Sequence, residues 1–104
     1  MPAVIQLGNL TIDGDDGAAL IDGQDAFLSG REFEILRELA YNPDRVLSRK
    51  QLLKAVWSDE DEGSGRKLSV HVCRLRKKLR GSDPWSIASV RRRGYILSCQ
   101  RNAP

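Results

Sequence analysis

The chain is short of the side chains that most enzymes and metalloproteins depend on. Its 104 residues contain one histidine, His71, and two cysteines, Cys73 and Cys99. Two scattered thiols make neither a disulfide framework nor a cysteine-based zinc site. One imidazole leaves little for metal ligation or general-base catalysis. The expectation is a non-enzyme with no cofactor, no metal and no small-molecule substrate. No apolar run approaches the roughly 20 residues that a membrane-crossing helix needs. The N-terminus, Met1-Pro2-Ala3-Val4-Ile5-Gln6, lacks the basic segment and long apolar stretch of a secretory signal. These absences argue for a cytoplasmic protein without a membrane partner. Internal repeats and low-complexity tracts are also missing. What remains, 40% hydrophobic and 30% charged, reads as one globular domain over 1–104 with its core at about 4–99.

Charge is the first positive signal. The formal net charge is only +3, but residues 1–63 carry a net −7 and residues 64–104 a net +10. A basic pole of this strength on so small a domain is what a phosphate-binding surface looks like, because neutralising phosphates releases condensed counterions.

Local patterns supply the order of elements. Val4-Ile5-Gln6-Leu7, Leu10-Thr11-Ile12-Asp13, Ala18-Ala19-Leu20-Ile21 and Ala26-Phe27-Leu28 are short alternating segments separated by turns such as Asp22-Gly23. They predict three or four strands in a small antiparallel sheet. Ser29 and Glu32 form a capping box ahead of Phe33, Leu36, Leu39 and Ala40, and Asn42-Pro43 stops that helix. Ser48 and Gln51 form a second box before Leu52, Leu53, Val56 and Trp57. An acidic loop follows, between Trp57 and Gly65.

A third helix is expected from Arg66 to Arg80, capped by Gly81. At ~100° per residue, Leu68, Val72, Leu75 and Leu79 fall on one apolar stripe. Arg66, Val70, Cys73, Arg74 and Lys77 point the other way, flanked by Lys67, Arg76 and Lys78. Arginine reads guanine bidentately, lysine neutralises phosphate, and a small apolar group such as Val70 suits a thymine methyl. Alternation on both sides of Arg92-Arg93-Gly94 predicts a C-terminal hairpin with Arg91, Arg92 and Arg93 at its tip. Three adjacent cations repel one another unless an anionic backbone or narrow minor groove lies beside them. His71, at the edge of the stripe, reads as a surface hydrogen-bond donor. Cys73 reads as an inert thiol and Cys99 as a small hydrophobe.

This order of elements, with Leu28-Ser29-Gly30-Arg31-Glu32-Phe33, Arg45-Val46-Leu47-Ser48-Arg49, Trp57, Val70-His71-Val72-Cys73-Arg74-Leu75-Arg76-Lys77 and Val90-Arg91-Arg92-Arg93-Gly94-Tyr95, resembles the OmpR/PhoB-type winged helix-turn-helix. The resemblance implies an α+β winged-helix fold: an N-terminal antiparallel sheet, three helices and a C-terminal hairpin wing. It implies a recognition helix at 66–80, with Arg66, Lys67, Val70 and Arg74 reading bases and Arg49, His71, Arg76 and Lys77 on phosphates. Arg91, Arg92 and Arg93 become the wing. It further implies a bacterial transcription regulator acting on double-stranded DNA, usually the effector half of a two-component response regulator. Copies would assemble head to tail on DNA, and loop 57–65 resembles the one that contacts RNA polymerase in some members. Two positions depart from the pattern. Cys73 stands where many members have a second arginine, and Ile96 is apolar where some have a basic wing residue, which shifts groove reading to Arg92 or Arg93.

Two other functions fit the same residues. One is a winged-helix domain that docks a protein partner through its acidic loop or sheet. The other is a DNA-binding appendage of an enzyme or membrane sensor. RNA is disfavoured because the exposed faces lack stacking aromatics.

Overall fold

A computed structural model describes residues 3–57, 64–82 and 85–99. The chain begins with four short strands, β1 (Val4–Leu7), β2 (Leu10–Asp13), β3 (Ala18–Ile21) and β4 (Gln24–Asp25), hydrogen-bonded antiparallel in sequence order. Alternation selects the faces: Leu10 and Ile12 are buried while Thr11 and Asp13 are partly exposed. Asp22 and Gly23 both adopt positive φ, 52° and 80°, the geometry that lets a two-residue turn follow the twist of a hairpin.

The fourth strand differs from expectation. The strand ends at Asp25, with one further backbone bond from Ala26 N–H to Ala19 O at 2.8 Å; the Asp25 Oδ1 accepts from the Phe27 amide at 2.7 Å and Phe27 takes φ 56°. A left-handed residue does not continue a regular ladder, so Ala26-Phe27-Leu28 forms a connector and Phe27 is 79% exposed.

Helix α1 (Gly30–Tyr41) starts at the expected capping box. The Glu32 amide donates to Ser29 Oγ, and the Ser29 amide donates to Glu32 Oε1 at 2.9 Å. Helix α2 (Arg49–Trp57) has the second box, with Ser48 and Gln51 exchanging bonds of 2.7 and 3.0 Å. Helix α3 (Ser64–Lys78) buries the expected stripe of Leu68, Val72 and Leu75, with Leu79 just past its end. It starts two residues before Arg66 and ends two before Arg80. The end tightens through Arg80 N–H to Lys77 O and Ser82 N–H to Leu79 O, around Gly81 at φ 105°.

Strands β5 (Trp85–Val90) and β6 (Gly94–Cys99) form the C-terminal hairpin. The three helices, β2, β3 and this hairpin share one core, with Leu36, Leu39, Leu52, Leu75 and Leu97 fully buried. A two-stranded hairpin is marginal alone. Here Leu47, in the segment before α2, pairs with Tyr95 as a third rung, through bonds of 2.9 and 3.0 Å.

Candidate nucleic-acid interface

Core packing of α3 determines what it shows outside. With Leu68, Val72 and Leu75 turned inward, Arg66, Lys67, Val70, Cys73, Arg74 and Lys77 are all exposed on the opposite side. Val70 is 40% exposed among these cations. All four residues expected to read bases therefore share one solvent-facing surface. The acidic loop expectation falls mainly on 58–63, outside the described residues.

His71 is only half exposed. Its Nδ1 lies 2.7 Å from the Lys67 carbonyl, and its ring packs edge-on against Trp57 at 5.6 Å between centroids. A carbonyl accepts, so this contact selects the ring form with hydrogen on Nδ1. Trp57 in turn carries the Arg31 guanidinium 5.2 Å from its ring centroid, and Arg31 also donates to the Val56 carbonyl. These contacts join all three helices behind the exposed face.

The hairpin presents Arg91, Arg92 and Arg93 to solvent at a tight turn closed by Arg93 N–H to Val90 O at 2.9 Å. Arg92 has φ 65° in this turn, a conformation that favours glycine or asparagine. The three arginines line a cleft of about 220 Å³ with Arg49 and Tyr95.

Arg49 and Arg76 are held differently from the tip arginines. Arg49 donates from Nη1 to Tyr95 Oη at 3.0 Å and from Nη2 to Ser69 Oγ at 3.1 Å. Arg76 donates from Nε to the Ile87 carbonyl at 3.1 Å and from Nη2 to Ser89 Oγ. Both guanidinium carbons lie 5.9 Å from the Tyr95 ring centroid. Sequence reading placed these arginines on α2 and α3 but gave no sign of this shared tyrosine, because the partners are 46 and 19 positions away in the chain.

A second missed arrangement is Glu32. Its carboxylate is 2% exposed and receives Lys78 Nζ at 2.7 Å, while the same ammonium reaches the Phe27 carbonyl. Burial alone pushes the Glu32 pKa up. The Lys78 hydrogen bond and charge, with the Ser29 amide, outweigh it and hold the carboxyl below its ordinary value. Lys78, expected on the flank of the cationic face, thus folds back toward α1. Both cysteines are free thiols, Cys73 exposed and Cys99 half-buried. Among the described residues there is no cluster of metal-ligating side chains and no helix long and apolar enough to cross a membrane.

A core-packed helix with a cationic outer face, set beside a basic hairpin, defines a winged helix-turn-helix of the nucleic-acid-binding class. The family model for the C-terminal region of transcriptional regulatory proteins matches residues 23–97, and the chain belongs to this OmpR/PhoB-type family of effector domains. It is 44% identical over 94 residues to the transcriptional regulatory protein TctD of Salmonella typhimurium, covering 90% of this chain and 41% of TctD. It is 45% identical over 76 residues to SrrA of Staphylococcus aureus, covering 73% of this chain and 32% of SrrA. The chain thus spans well under half the length of these relatives. Among solved structures, the RstA DNA-binding domain of Klebsiella pneumoniae, in complex with the RstA box, matches with TM-score 0.80 and 33% identity, covering 93% of this chain and 98% of that one. The DNA-binding domain of CpxR from E. coli matches with TM-score 0.83 and 28% identity, covering 97% and 100%.

Proposed function

We propose that this domain binds double-stranded DNA in a sequence-specific way, as the effector part of a bacterial response regulator that controls transcription from the cytoplasm. The observation that carries this reading is the exposed face of α3. Arg66, Lys67, Val70 and Arg74 stand together on it, and the stripe behind them is fully committed to the core. In this reading α3 enters the major groove with those four side chains at base edges. Lys77 neutralises phosphates, Arg49 adds to this only with what its bonds to Tyr95 and Ser69 leave free, and the wing arginines reach the backbone or the adjacent minor groove. His71 has only Nε2 left to face a phosphate, because its Nδ1 is already turned to the Lys67 carbonyl. Arg76 is a further cation on this side, bonded to the Ile87 carbonyl and the Ser89 hydroxyl. The RstA domain, solved with its DNA box, supports the same mode by analogy.

Two finer proposals follow from the family. Copies bind head to tail on sites about one helical turn apart, and loop 57–65 docks RNA polymerase. Sedimentation with and without a two-site duplex checks the first: a monomer alone and a dimer on DNA is expected.

The decisive test is selection of bound duplexes from a random pool, followed by competition with single-base variants. Arg74→Ala is expected to lose ~1–3 kcal/mol of affinity and to flatten preference at one or two base positions. A folded Arg74→Ala with unchanged affinity and preference refutes α3 as the reading helix.

A further inference from the structure

A wing contributes to binding only if it is held at the right distance and angle from the recognition helix. The hairpin packs Ile87 and Leu97 into the core and pairs with Leu47 through Tyr95, and its polar ties to α3 are side-chain bonds. The side-chain bonds between them come from a few residues. Arg76, on α3, grips β5 at two points, the Ile87 carbonyl and the Ser89 hydroxyl. Its guanidinium also lies over Tyr95 of β6, the register partner of Ser89. Arg49, at the start of α2, bonds the Tyr95 hydroxyl and reaches Ser69 on α3. Ser89 and Tyr95 each stand two residues from a tip arginine, Arg91 and Arg93. The grip therefore lies directly at the base of the charged turn.

We propose that Arg76 is a positioning residue that sets the spacing between the recognition helix and the wing, so that both engage DNA at once. This rests on the DNA-binding reading and adds to it. The competing role is direct neutralisation of a phosphate. The two roles make different demands. A phosphate is satisfied by any cation at that place, whereas a planar, two-point grip beside a tyrosine ring needs arginine and is lost with lysine.

Arg76→Lys therefore separates them. In the free domain, amide hydrogen exchange of Arg76→Lys is expected to rise at Arg93, Tyr95 and the neighbouring hairpin amides and to stay unchanged in α1. On a selected duplex, Arg76→Lys is expected to weaken binding by nearly the same factor as the tip variant Arg92→Ala/Arg93→Ala. Combining them is expected to add little, a coupling of about threefold or more. Positioning is overturned if the effects multiply independently. It is also overturned if Arg76→Lys binds like wild type while Arg76→Ala weakens binding with a salt slope shallower by about one. Ser89→Ala removes one bond of the grip and no charge, so it decides the matter if Arg76→Lys fails to fold. Wild-type hairpin exchange and full independence from the tip variant then refute the proposal. A domain that binds no duplex at all refutes the DNA reading instead, and the exchange data still judge the grip.

Discussion

Gly94 joins the wing to the rest of the molecule at a point where no side chain fits. Its φ is 145°, and a Cβ there would stand 2.0 Å from the Leu47 carbonyl oxygen and 2.9 Å from Ser48 Cα. Both neighbours are backbone and cannot swing aside. Gly94→Ala is expected to break the Leu47–Tyr95 pairing and to cost about 3 kcal/mol or more, from clash and dihedral strain together; a thermal melt reads this directly. Arg92 presents the opposite case. It holds a left-handed conformation at φ 65° with an exposed charged side chain, where glycine is free of strain. Arg92→Gly is thus expected to leave stability unchanged or slightly raised while weakening DNA binding. The same change at Arg93, which lacks the positive φ, loses ~0.5–1 kcal/mol. Melts and duplex titrations of the two variants side by side check the contrast. Equal stability effects would show that the turn does not favour glycine at Arg92.

At the scale of elements, α1 and α3 are pinned to each other by one buried carboxylate. Glu32 closes the capping box of α1 and receives Lys78 from the last turn of α3. Its pKa is lowered in the fold, so the unfolded chain takes up the proton first as pH falls. Stability from this group is complete above the unfolded value, ~4.3, and drains away as pH drops through the lower folded value. Glu32→Gln is expected to be less stable by about 1–2 kcal/mol at neutral pH, since half-exposed Lys78 recovers some solvation. The gap to wild type is expected to close as pH falls well below 4. Denaturant midpoints at pH 7 and pH 3 test it, and a gap that widens in acid would contradict the sign.

At the scale of the whole molecule, charge is segregated along the chain, net −7 over 1–63 and net +10 over 64–104. The basic half contains α3 and the wing, so the same division orients the domain on a polyanion. If about five to eight of Arg49, Arg66, Lys67, Arg74, Arg76, Lys77 and the tip arginines touch phosphates, the log–log salt slope is about −4 to −7. A slope near zero, measured by titration at several salt concentrations, removes DNA from consideration. Because Arg49 and Arg76 are engaged within the protein, the shallower end of that range is expected.

The sequence alone determined whatever depends on neighbours a few positions apart. Both capping boxes, the three-helix order, the α3 stripe and the outward set of Arg66, Lys67, Val70 and Arg74 follow from spacing, because helical periodicity and cap chemistry act within a turn or two. The Arg-rich tip was legible for the same reason. Tertiary structure decided everything that depends on residues distant in the chain. Tyr95 becomes the meeting point of Arg49 and Arg76 only when the hairpin folds back onto α2 and α3. Lys78 leaves the cationic face only because the buried Glu32 carboxylate lies within reach. The fourth strand ends at Asp25 because one side-chain bond turns Phe27 left-handed, and strand propensity alone does not encode that competition. Local pattern thus fixed which side chains face outward. Long-range packing fixed which of those cations also bond within the protein, Arg49, Arg76 and Lys78 among them.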